Sequence, residues 1–358
     1  MRIAQVSPLF ESVPPKTYGG TERVVSYLTE ELVRQGHDVT LFASGDSITS
    51  ARLIATVPQS MRSVGASTNA YLAMQTVQMG QVLEMAHAFD IVHFHTGFAH
   101  FPSAAHLKTP HLTTVHDRQD LAEYRPLYLQ YDQEPLISIS NSQRAAQPSA
   151  YWTDTVYHGL PEDLFAFSPK HEGYLAFLGR ISPEKRVDRA IEIAIRCETP
   201  IYVAAKVDGV YEDYFMERIK PLLSHPLVHF LGEVGGADKW RLLAHAKALL
   251  FPIDWPEPFG LVMIEAMACG TPVVAYRNGA VPEVMEHGVT GFVVTNQDEA
   301  VAAAMRVDEL DRRVCRAAFE RRFTVERMTE HYLRVYHRLM NRQAKVADLR
   351  QVAGERHG

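Results

Sequence analysis

Cysteine is scarce in this chain: Cys197, Cys269 and Cys315 stand far apart among 358 residues. That spacing suits neither a disulfide framework nor a metal or redox motif, and it reads as the reduced thiols of a cytoplasmic protein. Long apolar runs are missing too. Nothing approaches the ~20 consecutive apolar residues of a membrane span. The opening MRIAQVSPLF carries one charge and a short apolar run, the mark of a first strand and not of a secretion signal. Basic charge is not in excess: the formal net charge is −6, and Lys and Arg are scattered except near the C-terminus. This argues against nucleic acid as a partner. Internal repeats and low-complexity tracts are also lacking.

What is there is globular in profile, with 46% hydrophobic and 22% charged residues, and long enough for two domains. Short apolar runs alternate with helical patterns from end to end. In the first half the strands are expected at Ile3–Val6, Val39–Ala43, Ile91–His95, Leu112–His116 and Leu136–Ser140. In the second they are expected at Leu175–Leu178, Ile201–Ala204, Val228–Leu231, Ala248–Pro252, Val273–Ala275 and Phe292–Val294. Consecutive apolar positions suit strands covered on both faces, hence parallel sheets with crossover helices such as Thr21–Arg34. The pattern restarts at Leu175, after the Gly- and Pro-marked segment His158–Gly173. The expected fold is therefore α/β, with two facing, doubly wound parallel-sheet domains and a deep cleft between them. The domains are expected at 1–160 and 161–324; a helix at about 325–345 is expected to pack back on the first, and 345–358 to fray.

The run PEPFGLVMIEAMACGTPVVA, from Pro256, places two carboxylates eight residues apart. Glu257 lies in a Pro-flanked loop. Glu265 lies inside an apolar run that reads as a buried helix, ended by Gly270-Thr271-Pro272. A buried acid requires a charge partner or a polar ligand. The amides of Phe259, Gly260 and Leu261 at the helix start suit anionic oxygen. Carboxylates that accept hydroxyls beside amides that donate to phosphate suit a nucleotide sugar.

These residues resemble retaining family 4 glycosyltransferases of the two-domain GT-B fold. The E-x7-E signature matches Glu257 and Glu265. LGRISPEKR, Leu178 to Arg186, is similar to the family's G-R-x-x-x-x-K element. SPLFESVPPKTYGGTERVV resembles its glycine loop and first helix, LTTVHD its strand ending in a functional His, and GAVPEVMEHGVTGFVV the region after the catalytic helix. The resemblance covers nearly the whole chain.

It implies that Arg180 and Lys185 bind the diphosphate, where two cations would favour the departing, more negative leaving group. It implies that Glu265 accepts from the ribose hydroxyls, that Glu257 contacts the donor sugar, that Gly19 and Gly20 lie over the diphosphate and the acceptor, and that His116 sits near the reacting sugar. Base recognition is placed near Gly232 and Val234. Bland readings stand beside each. Arg180 and Lys185 also fit a solvated loop, Glu265 a buried ion pair, Glu257 a surface charge, Gly19–Gly20 a tight turn, and His116 a packing histidine. His93 and His95 alternate on one strand, but no Cys or carboxylate at ligand spacing accompanies them. No metal and no other cofactor is expected; a D-x-D pair is absent, and cations with helix amides can serve instead. Lys206-Val207-Asp208 departs from the glycine-rich turn of such folds.

The expected activity is sugar transfer from a nucleotide sugar, UDP-glucose before GDP-mannose, to an unknown hydroxyl acceptor, with retention and by front-face substitution. Alternatives are a GT-B epimerase or phosphorylase and a catalytically silent nucleotide-sugar-binding subunit. No protein partner is evident. The basic run DELDRRVCRAAFERRF reads as a solvated helix face, with weak peripheral contact at the inner membrane face as a lesser option.

Overall fold

The structure, a computed structural model, describes residues 1–17 and 19–355, with side chains as far as residue 342. The chain forms two compact units. The first comprises Met1–Ile139, Ala146–Gly159 and the helix from Val325; the second comprises Ser140–Ala145 and Leu160–Thr324.

The first unit holds strands β1 (Arg2–Val6), β2 (Asp38–Ser44), β3 (Arg52–Val57), β4 (Ile91–Phe94), β5 (His111–Thr114), β6 (Leu136–Ser138) and β7 (Trp152–Thr155). They pair in the order β3-β2-β1-β4-β5-β6-β7, all parallel. The second holds β8 (Leu175–Ile181), β9 (Ile201–Val207), β10 (Val228–Gly232), β11 (Ala248–Phe251), β12 (Val273–Tyr276) and β13 (Gly291–Val294). Their order is β10-β9-β8-β11-β12-β13, again all parallel. The expected α/β class with two doubly wound parallel sheets is the one observed. Inner strands such as β4 (IVHF) and β11 (ALLF) are buried along their whole length, which is why they read as continuous apolar runs.

Strand order decides where ligands belong. In each unit the chain winds outward from one strand and then returns to that strand's other side, at β1/β4 in the first unit and β8/β11 in the second. The C-terminal edges at such switch points are where loops part and open a crevice. The first helix, Gly20–Arg34, follows β1 and buries Val24, Val25, Leu28 and Leu32.

Several expectations change. β3 and β7 were not foreseen; both are edge strands, and their burial is only partial. β4 and β5 stop before His95 and His116, which stand just beyond the sheet. The expected frayed tail at 345–358 is helical backbone as far as Glu355, and residues 356–358 lie outside those described. The basic run of residues 308–323 is not simply a solvated face. The buried Arg312 donates to the carbonyls of Ser168, Ala246 and Ala244 at 2.8, 2.9 and 2.6 Å. Arg316 donates to the Ala268 carbonyl at 2.7 Å, and Arg322 to that of Val284 at 3.1 Å. These guanidiniums satisfy loop and helix-end carbonyls that the second unit would otherwise bury bare.

Candidate active site

The second unit gathers its charges at the C-terminal edge around the switch point. Arg180 lies near the end of β8, in register with Lys206 on β9. Its Nη2 donates to Glu184 at 2.9 Å, and its guanidinium lies over the Tyr211 ring at 5.5 Å. Lys206 pairs with Asp208 at 2.6 Å, while Asp208 also approaches Arg180 at 4.0 Å. Lys185, in the loop after β8, reaches across to Glu257 in the loop after β11, with Nζ 2.5 Å from Oε2. The Trp255 indole N–H donates to the same oxygen at 2.8 Å, and Lys185 sits 4.9 Å over the Trp255 ring. Both members of the pair are largely sequestered, with side chains 14% and 10% exposed. The structure thus brings Lys185 and Glu257 together, and Arg180 shares the β8 edge with Lys185.

Gly279 explains how the Glu257 loop keeps its place. Its φ is +56°, and a Cβ there would stand 2.2 Å from the Glu257 nitrogen and 2.3 Å from its carbonyl oxygen. Only glycine lets the β12 loop pass so close. The next residue, Ala280, donates its N–H to the Glu257 carbonyl at 2.8 Å.

Glu265 lies on the helix Leu261–Ala268 and is 3% exposed at its side chain. Its partner is Lys239, on the helix Gly236–His245 after β10, at 2.6 Å. Glu265 is thus held in a buried ion pair. Lys239 was missed because a Lys on a short amphipathic helix looks like any solvated charge. Gly260 is the residue before the Leu261–Ala268 helix, and Leu261 opens it. Phe259 is buried against Phe323, ring centroids 6.0 Å apart, so its side chain is spent on the core and only its backbone can serve a ligand. Gly232 closes β10, and Val234 packs beside Tyr174, Ala204 and Leu242.

In the first unit, Gly19 precedes the first helix at φ +156°, where a Cβ would meet Pro15 at 2.7 Å. The tight-turn reading thus accounts for Gly19 by packing alone; Gly20 is the first residue of that helix. His116 stands past β5, with Nε2 2.9 Å from His95 Nδ1 and its ring stacked on His158. Burial pushes its pKa down to about 3, so the ring is neutral at physiological pH. Near it the first helix buries Glu22, whose carboxyl burial raises to about 7, with Glu11 and Asp117 adding to the rise. His93, His95 and His116 do not converge on a common point. His93 is bonded to Tyr336 and Thr114, and His95 to His116 and Gln5. Among the described residues no group of three or more His, Cys, Asp or Glu side chains is placed to hold a metal ion. No helix among them is long and apolar enough to cross a membrane.

Two Rossmann-like units, one carrying cations and carboxylates on its switch-point edge, fit the GT-B architecture. Residues 18–162 match the description Glycosyltransferase Family 4, and residues 163–318 match Glycosyl transferases group 1. Glycogen synthase of Mycobacterium tuberculosis is 25% identical over 359 residues, spanning 86% of this chain and 85% of that one. AviGT4, a glycosyltransferase involved in avilamycin A biosynthesis, superposes with a TM-score of 0.75 at 25% identity over 95% of this chain and 98% of its own. Anabaena HepE, solved with UDP-glucose, shares the fold with a TM-score of 0.70 at 20% identity, over 94% of this chain and 99% of its own. The chain belongs to the family 4, group 1 glycosyltransferases of the GT-B fold and is a transferase enzyme.

Proposed function

We propose that the second unit binds a nucleotide sugar, UDP-glucose before GDP-mannose, and that the chain transfers its sugar to an acceptor hydroxyl with retention of configuration. The observation that carries this reading is the meeting of Lys185 and Glu257 at the β8/β11 switch point, 2.5 Å apart, with Arg180 on the same edge. A lysine and a sugar-binding carboxylate on adjacent loops match a donor in which diphosphate and sugar are joined at one bond. As the anomeric carbon–phosphate oxygen bond breaks, charge grows on the leaving diphosphate. Arg180 and Lys185 stabilise that charge. The acceptor oxygen bonds to the anomeric carbon on the same face, and its proton passes to the leaving phosphate oxygen. Glu265 takes the ribose hydroxyls, exchanging part of its pairing with Lys239 for a diol. Gly232, Val234 and the amides of Phe259, Gly260 and Leu261 serve the nucleotide; for Gly19, Gly20 and His116 of the first unit, the family resemblance supports roles toward the donor and its sugar. UDP-glucose is favoured because HepE, of like fold, was solved with it. No metal enters this scheme, since the cations on the β8 edge supply positive charge.

The test is nucleotide release from a panel of UDP-, GDP- and ADP-sugars without acceptor. Slow release from one donor identifies nucleotide and sugar together. No release, joined to no thermal shift with any free nucleoside diphosphate, removes the reading of Glu265 and the donor site with it.

A further inference from the structure

His116 is the outer end of a chain of buried polar side chains that crosses the middle of the first sheet. Gln5 on β1 and His93 on β4 are in register, Thr114 ends β5, and His95 and His116 stand two residues past His93 and Thr114, just beyond the sheet. A stripe of polar groups in such a core is costly unless every member finds a partner. The partners come from the C-terminal helix Val325–Glu355, whose Tyr332 and Tyr336 stand one turn apart and are fully buried. Gln5 Nε2 donates to the Tyr336 hydroxyl at 3.1 Å, and Gln5 Oε1 lies 2.8 Å from His95 Nε2. His95 Nδ1 lies 2.9 Å from His116 Nε2. On the inner side Tyr336 meets His93 Nδ1 at 2.7 Å, His93 Nε2 meets Thr114 Oγ1 at 2.7 Å, and Thr114 meets Tyr332 at 2.9 Å.

The donors and acceptors fix a direction. An amide oxygen only accepts, so His95 carries its proton on Nε2. Neutral His95 then has only a lone pair on Nδ1, so His116 must donate from Nε2. That leaves the His116 Nδ1 unprotonated, and no side chain among the described residues bonds it. We propose that His95, Gln5 and Tyr336 are positioning residues that hold His116 as its Nε2–H tautomer and present Nδ1 as a hydrogen-bond acceptor. An acceptor nitrogen takes a hydroxyl O–H and has nothing to offer a phosphate oxygen. His116 is thereby assigned to a hydroxyl of the sugar or the acceptor and not to the diphosphate. Burial agrees, since it holds both His95 and His116 far below the usual imidazole range. The tautomer stands on geometry alone; its effect on turnover rests on the transferase reading above.

The experiment is nitrogen-15 NMR of the full chain with labelled histidine, His116 being assigned by loss of its signals in His116→Gln. In the unsubstituted protein, His116 is expected as a single neutral tautomer with Nε2 protonated across pH 6 to 8. The Nδ1–H tautomer, or a mixture, overturns the proposal whether or not the protein transfers sugar. Tyr336→Phe removes one hydroxyl and keeps the packing; Gln5 then loses its hydroxyl acceptor, and the His116 tautomers are expected to mix. With the donor identified by nucleotide release, kcat falls about tenfold while the donor KM stays within about twofold. Tyr332→Phe, one turn away on the same helix, should leave both readouts nearly unchanged. An unmixed His116 in Tyr336→Phe, or an equal loss in Tyr332→Phe, reduces these tyrosines to core packing and overturns the proposal.

Discussion

The second unit holds its buried carboxylates with lysines, while the first holds its buried histidines with neutral hydrogen bonds. Glu257 and Glu265 each face an ammonium at 2.5 and 2.6 Å. The histidines around His116 share protons with Gln5, Thr114 and Tyr336, and burial keeps them uncharged. Both arrangements satisfy polar groups away from water, but they respond to ligands differently. In an ion pair the lysine can turn to a phosphate while the carboxylate turns to hydroxyls, so that each charged group keeps a hydrogen-bonding partner. A neutral chain cannot take on charge without leaving a member unsatisfied. The charged unit is thus suited to a diphosphate and the neutral one to hydroxyls.

Substitutions can break that contrast. The largest effect is expected from Lys185→Ala, with kcat/KM for nucleotide release down roughly 10²–10³-fold and the fold intact by circular dichroism. Unchanged release would remove Lys185 from the leaving-group site. Next comes Lys239→Met, which strands the Glu265 carboxylate and should cost about 3 kcal/mol in urea denaturation. The double variant Lys239→Met/Glu265→Met should recover most of that stability while binding nucleotide more weakly. If it binds as tightly as the parent, the pair is only structural. Gly279→Ala should cost about 2 kcal/mol from its left-handed backbone and the approach to Glu257. Its activity should fall more than its stability alone would predict, because the Glu257 loop must shift. A variant that keeps full activity and stability would show that the loop tolerates the contact.

The smallest effect per residue is the pH dependence of the first unit. His93, His95, His100, His116 and His158 are all held below their usual range by burial, His116 at about 3. In the unfolded chain they take up protons near pH 6.5. Below that pH the unfolded state binds protons that the folded state refuses. Stability is therefore present above 6.5 and lost as pH falls, for His116 down to about 3. Between pH 7 and 6 each histidine contributes a loss of about 0.7 kcal/mol. Glu22, raised to about 7, has the opposite sign, since its contribution is lost as pH rises from 4.5. It offsets about one histidine. Denaturation at stepped pH checks the sum, and a first unit steadier at pH 6 than at pH 7 would contradict the neutral chain.

Much of this was written in the sequence, and the reason is burial. Inner strands are covered on both faces and read as apolar runs; the edge strands β3 and β7 are half-covered and carry no such signal. Glu265 was conspicuous because an acid inside an apolar helix is expensive. Lys239, which compensates it, was invisible because lysines abound on helix surfaces. Tyr332 and Tyr336, four residues apart, look in sequence like two members of an ordinary apolar stripe, and they do lie in the core. Their hydroxyls set the contact, and only the sheet opposite reveals that. Gly279 gave no sign of its constraint, because the chain that crowds it lies more than twenty residues earlier.

The helix from Val325 follows the second unit in sequence yet belongs to the first, where Tyr336 closes the polar chain begun at Gln5. During synthesis from the N-terminus, the first sheet is made long before the hydroxyls that complete its core. Gln5, His93 and His95 must wait, solvated or guarded, while the whole second unit emerges and folds. The ring of His116 takes its final setting only after the second unit has been made, so a chain cut short before Val325 would carry every motif of the enzyme and lack the clasp on its histidine.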